Sequence, residues 1–220
     1  MTKFYVLAVV SNFIDNERIK SFHSNMFHGL AERDGKECPH DPIVRAGDKS
    51  ASPLEISRTI HRIPEICQPS QHLVVSQMVA DQLRDFDTLR IAPVVFKRLV
   101  DVDYVKGDMD WGDRWGWEDP RELLRTLPDN PGFHDRIGRY FEVRTWAWKD
   151  VIDNYPSAKE ITIEEGTPPM EEEIAIRLSD ELLRDYPILG YGDIVLNEDA
   201  FAIIDPNLDR DFFLVREYEM

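Results

Sequence analysis

Apolar positions along the chain follow two periods, and each period predicts its own kind of element. The opening run KFYVLAVV, Lys3–Val10, is rich in β-branched and aromatic side chains and predicts a buried strand. Between Asn12 and Ser52 the chain is broken by Gly29, Gly35, Pro39, Pro42 and Gly47, with Ile43–Arg45 as a short strand there and Leu54–Ile60 as another beyond it. Ser76 stands as an N-cap, and MVADQLRDF after it puts Val79, Leu83 and Phe86 on one helix face. Leu89–Val100 predicts a strand in which Pro93 marks an edge or a bulge. Pro120–Leu127 predicts a short helix capped by Asp119, and Tyr140–Trp148 and Ala158–Ile163 predict strands.

The clearest helical signal comes next. Thr167-Pro168-Pro169 starts it, and Glu171, Glu172 and Glu173 fill a first turn where the backbone dipole favours anions. Ile174, Leu178 and Leu182 then recur at i, i+4 and i+8, joined by Ala175 and Leu183, until Pro187 ends the element. The tail, residues 193–217, predicts a three-stranded meander of DIVL, AFAII and FFLVREY, with turns at Asn197–Asp199 and Asp205–Asp209. Irregular alternation closing on adjacent strands predicts an α+β fold: mostly antiparallel sheet, a few amphipathic helices and a C-terminal β-meander. One domain over residues 1–220 is expected. If it divides, the lobes are 1–105 and 136–220, joined by an acidic, Trp-rich segment 106–135.

Charge changes this picture most. The formal net charge is −16, and it is uneven. Residues 1–100 hold 12 acidic and 13 basic side chains, whereas residues 101–220 hold 30 and 13. Such a surface repels nucleic acid and anionic membranes, and it attracts a basic protein. Solubility alone is the plainer account of the same charge. No apolar run approaches the roughly 20 residues that span a bilayer. The N-terminus reads as a strand rather than a signal peptide. Cys38 and Cys67 are the only cysteines, so the expected compartment is the reducing cytoplasm.

Within the acidic half, residues 101–119 alternate carboxylates with tryptophans. Trp111, Trp115 and Trp117, set among Asp108, Asp110, Asp113, Glu118 and Asp119, would suit a surface that attracts a basic partner and then anchors it. The alternative is that the rings pack inward and only the carboxylates meet water. No phosphate-cradling glycine motif occurs, and no G-x-S-x-G. The string from Asp205 to Asp211 opens like a calcium loop, but Arg210 stands where glycine is needed and Arg216 where glutamate is needed. Cys38-Pro39-His40 is the nearest approach to a zinc pair, and His134-Asp135 and His40-Asp41 are isolated. No catalytic residue, cofactor or metal is expected on these grounds.

One stretch carries a resemblance. QHLVVSQMVADQLRDFDTLRIAPVVF, Gln71–Phe96, pairs a VVS lead-in and a short amphipathic helix with a strand bearing a proline and V-F. It resembles immunity proteins of bacterial polymorphic-toxin systems, of the myxobacterial type. That resemblance covers the middle third of the chain clearly and the rest in outline, and it rests on core residues. It implies a cytosolic, non-catalytic protein without cofactor that binds and neutralises a cognate toxin, here a basic one. The rival expectations are an enzyme of unfamiliar type, with a carboxylate pocket drawn from residues 101–135 or 193–211, and an acidic regulatory or adaptor subunit.

Overall fold

The computed structural model describes residues 2–9, 28–38, 52–60, 64–101, 124–165, 172–190, 193–210 and 212–220. Its strands in chain order are β1 (Lys3–Val9), β2 (Leu30–Arg33), β3 (Lys36–Glu37), β4 (Leu54–Thr59), β5 (Ile66–Cys67), β6 (Val74–Ser76) and β7 (Arg90–Val100). There follow β8 (Tyr140–Arg144), β9 (Trp146–Ala147), β10 (Lys159–Glu165), β11 (Glu172–Leu178), β12 (Ile188–Gly190), β13 (Ile194–Asn197) and β14 (Phe213–Glu219). The helices are α1 (Gln77–Leu83), α2 (Pro131–His134), α3 (Trp148–Val151), α4 (Asp180–Asp185) and α5 (Glu198–Ile204). The strand expected at Ile43–Arg45 lies outside the described residues.

The class is α+β, as the patterning predicts. One sheet runs β14-β1-β13-β12-β9, another runs β3-β2-β4-β7-β8-β6-β5, and β10 and β11 form a separate two-stranded ribbon. All pairings are antiparallel except β4 with β7 and β9 with β12. The opening strand lies in the middle of the first sheet, between β13 and β14. Its apolar residues alternate accordingly: Phe4 and Val6 point to one core, while Leu7 and the half-buried Tyr5 point to another. The predicted strand Tyr140–Trp148 splits at Thr145. β8 belongs to the seven-stranded sheet, and β9 crosses to the five-stranded one.

The layers follow from the cores. Between the two sheets lie α1 and α5, whose Val79, Leu83, Ala200 and Ile204 join Val75, Val143, Leu7 and Leu196 in one cluster. On the far side of the five-stranded sheet, Phe4, Val6 and Val195 pack against Ile163 and Ile176 of the ribbon and Leu182 of α4. The seven-stranded sheet is curled. Gln68, just after β5, donates its backbone N–H to His28 Nδ1 at 3.0 Å, bringing the β5 edge to the residues that lead into β2. Leu54, Ile56, Leu99, Val74 and Tyr140 fill the concave face. Pro93 sits where β7 hands over from β8 to β4, so its missing N–H interrupts neither ladder in mid-course.

Two predicted elements are different. The segment expected as a long helix is β11 followed by α4, and the meander's middle strand is α5. EIAIRL places Ile174, Ile176 and Leu178 at every second position, and β10 offers Ile161 and Ile163 as cross-strand partners, so the two-residue period prevails. In AFAII, the Asn197 side chain caps the helix by accepting from Ala200 N–H at 2.8 Å. Glu198 and Asp199 then occupy its first turn, leaving β13 and β14 on opposite sides of β1.

Candidate functional site

Asp108, Asp110, Trp111, Asp113, Trp115, Trp117, Glu118 and Asp119, the residues expected to bind a partner, lie outside the described residues. The described structure instead locates the rest of the acidic half. After the crossing at Thr145 the chain builds the ribbon, α3 to α5 and every strand of the five-stranded sheet but β1. Residues 145–220 contain 19 acidic and 6 basic side chains, of which 17 acidic and all 6 basic ones lie among the described residues, a net of −11 spread over the ribbon, the helices and the five-stranded sheet. Some of these carboxylates have a cation. Glu217 pairs with Lys3 at 2.5 Å, Glu164 with Arg216 at 3.0 Å, and Asp205 with Arg210. Even with Lys3 added, seven cations cannot neutralise the seventeen described carboxylates, and Glu160, Glu173, Asp180, Glu181 and Glu198 are exposed.

The ribbon concentrates this charge. Its register places Glu160 opposite Arg177, Thr162 opposite Ala175 and Glu164 opposite Glu173. The alternate positions Ile161, Ile163, Ile174 and Ile176 turn inward to the core, so the outward face reads Glu, Thr, Glu on β10. Glu164 is tied to β14 twice more, by its N–H to Tyr218 Oη at 2.9 Å and by its carbonyl, which accepts from Arg216 at 3.4 Å.

A second polar constellation lies inside the curled sheet. Glu142, at 1% exposure, accepts from Arg33 Nη2 at 2.7 Å, His72 Nδ1 at 2.9 Å and Arg144 Nε at 2.8 Å. Burial opposes its charge, but the hydrogen bonds from His72 and Arg144 and the nearby positive charges outweigh it and hold the carboxyl down to about 2. Nearby, Arg58 is fully buried beside Cys67, His28 and Tyr140. Burial, with the Arg58 charge next, lowers His28 to about 3. Burial also pushes both thiols up, Cys38 and Cys67 alike, the opposite of what a nucleophilic thiol needs. Sequence patterning missed this hub. Its signal was two ionisable residues, Glu142 and Arg144, at alternate positions of an apolar strand.

The remaining candidates resolve into local contacts. His134 bonds Asp129 at 2.9 Å rather than Asp135, and Asp129 also accepts from Leu99 N–H at 2.8 Å, which lowers its pKa. Asp205–Asn207 is a single 3-10 turn closing α5. Cys38 is buried, and His40 lies outside the described residues. Among the described residues no group of three or more His, Cys, Asp or Glu is placed to hold a metal ion, and no helix is long and apolar enough to cross a membrane. No family model, no curated protein and no solved structure matches the chain.

Proposed function

We propose that this chain is a non-catalytic immunity protein of the cytoplasm, which binds and neutralises a cognate basic toxin through an acidic surface. The observation that carries the reading is the net −13 of residues 145–220, a segment with too few cations to balance its carboxylates. A field of one sign on one side of a molecule speeds the encounter with an oppositely charged protein and selects against other partners. In this reading Trp111, Trp115 and Trp117, among Asp108, Asp110, Asp113, Glu118 and Asp119, anchor the toxin once it has arrived. The Glu142 hub favours this over an enzyme. Its carboxylate oxygens are taken by three donors of the same chain, which leaves it suited to holding strands together rather than to proton transfer.

The test is neutralisation itself. A toxic protein encoded beside this chain should lose its activity when the purified chain is added in equimolar amount. The triple variant Asp110→Ala, Asp113→Ala, Trp115→Ala should protect poorly. Full toxicity in the presence of excess parent chain would contradict the proposal.

A further inference from the structure

We propose that the outer edge of β11, at Glu173 and Ala175, is a strand-addition site for a positively charged, extended segment of a protein partner. It rests on the proposed neutralising role only for the identity of that partner. Two bonds fix the geometry. Glu164 N–H points away from β11 to Tyr218 Oη, and the Arg177 carbonyl points away from β10 to Trp148 Nε1 at 2.6 Å. In an antiparallel pair, residues whose backbone groups point outward alternate with residues that bond across the pair. With Glu160 opposite Arg177 and Glu164 opposite Glu173, all three of the pairs Glu160–Arg177, Thr162–Ala175 and Glu164–Glu173 are of the outward kind. Glu173 and Ala175 therefore direct both N–H and C=O away from the ribbon, about 7 Å apart, the repeat at which an added strand presents its own groups.

Nothing described occupies that edge. Among the described residues the ribbon has two strands, both Glu173 and Ala175 are exposed, and neither makes a further hydrogen bond. The opposite edge, at Glu164, is already held by Tyr218 and Arg216. Charge then selects the occupant. Outward pairs bring side chains closest, with Cα atoms about 4.5 Å apart. The carboxylates of Glu164 and Glu173 therefore crowd each other, which folding alone disfavours. Arg216 compensates Glu164, and no cation pairs with Glu173 among the described residues. A strand presenting lysine or arginine beside Glu173 relieves the repulsion. A second copy would bring two segments of net −13 together.

The probe is a short alternating Lys–Thr peptide, titrated into the full chain at low salt and followed by amide resonances and hydrogen exchange. Exchange at Glu173 and Ala175 should slow on binding. Ala175→Pro removes an outward N–H that β10 does not use, so it should leave the ribbon folded and weaken the peptide about tenfold. The same peptide N-methylated at alternate residues should lose binding to the parent chain equally, which decides the matter even if the proline variant misfolds. Equal binding by the variant or by the methylated peptide overturns the proposal, as does a parent chain that dimerises through this edge. A toxin neutralised equally well by Ala175→Pro overturns the edge and leaves the immunity reading standing. Peptide bound at the edge of a chain that neutralises no toxin supports the edge and removes that reading alone.

Discussion

Arg33 reaches Glu142 at 2.7 Å although β4 and β7 lie between their strands in the sheet. Three strand spacings on a flat sheet amount to about 14 Å, so the bond crosses a concave surface. Glu142 is the clasp of the curl: β2, β8 and the turn before β6 all donate to it. Glu142→Gln leaves Arg33 and Arg144 without their counter-charge in a buried place, and it should cost about 3 kcal/mol. Urea unfolding checks this through a fall in midpoint at unchanged slope. A loss below about 1 kcal/mol would mean the hub is not what holds the sheet curled.

Acid should unfold the chain in two windows. His28 is held near 3 against an ordinary 6.5, so below pH 6.5 the unfolded chain takes up a proton that the native state refuses. Stability then falls as pH drops from 6.5 towards 3, at up to about 1.4 kcal/mol per pH unit. Glu142, at about 2 against 4.5, adds its loss between pH 4.5 and 2. His28→Asn keeps an acceptor for Gln68 N–H and should flatten the upper window, measured as unfolding free energy against pH, and leave the lower one. The deficit of Glu142→Gln should shrink across the lower window. A slope from pH 6.5 to 5 identical in parent and His28→Asn would refute the assignment.

Asn197 joins two elements. Its side chain caps α5 through Ala200 N–H and donates to the Leu183 carbonyl of α4 at 3.0 Å. Asn197→Ala removes both bonds and should destabilise the fold by about 1–2 kcal/mol, whereas Asn197→Asp, keeping only the cap, should cost about half of that. Thermal or urea unfolding of the two variants separates the contributions. Equal losses would mean the cap contributes nothing, and an Asn197→Asp as stable as the parent would mean the same of the link to α4.

Much of the fold was legible where one period ruled. β1, β4, α1, β7 and β10 follow from their runs of apolar residues because no rival pattern competes there. The errors fall where two periods coincide or a cap decides. Ile174 and Leu178 satisfy helix and strand spacing equally, and the choice came from Ile161 and Ile163 on β10, a contact that local sequence does not contain. Ala200–Ile204 carries strand-like side chains, yet Asn197, Glu198 and Asp199 ahead of it form a helix start that could have been recognised. Glu142 was illegible for another reason. Its donors Arg33 and His72 lie 109 and 70 residues away and meet it only in the curl. The charge asymmetry was legible at once, but its concentration beyond Thr145 needed the crossing between sheets.

The central claim is that the acidic surface of residues 145–220 meets a basic protein, and the salt dependence of that meeting tests it most directly. Titration calorimetry of the chain with the toxic product of the neighbouring gene, at about 50 and about 500 mM NaCl, should show affinity falling at least about tenfold at the higher salt. Glu160→Gln with Glu173→Gln should flatten that dependence. An affinity independent of salt, or untouched by those substitutions, would contradict the account.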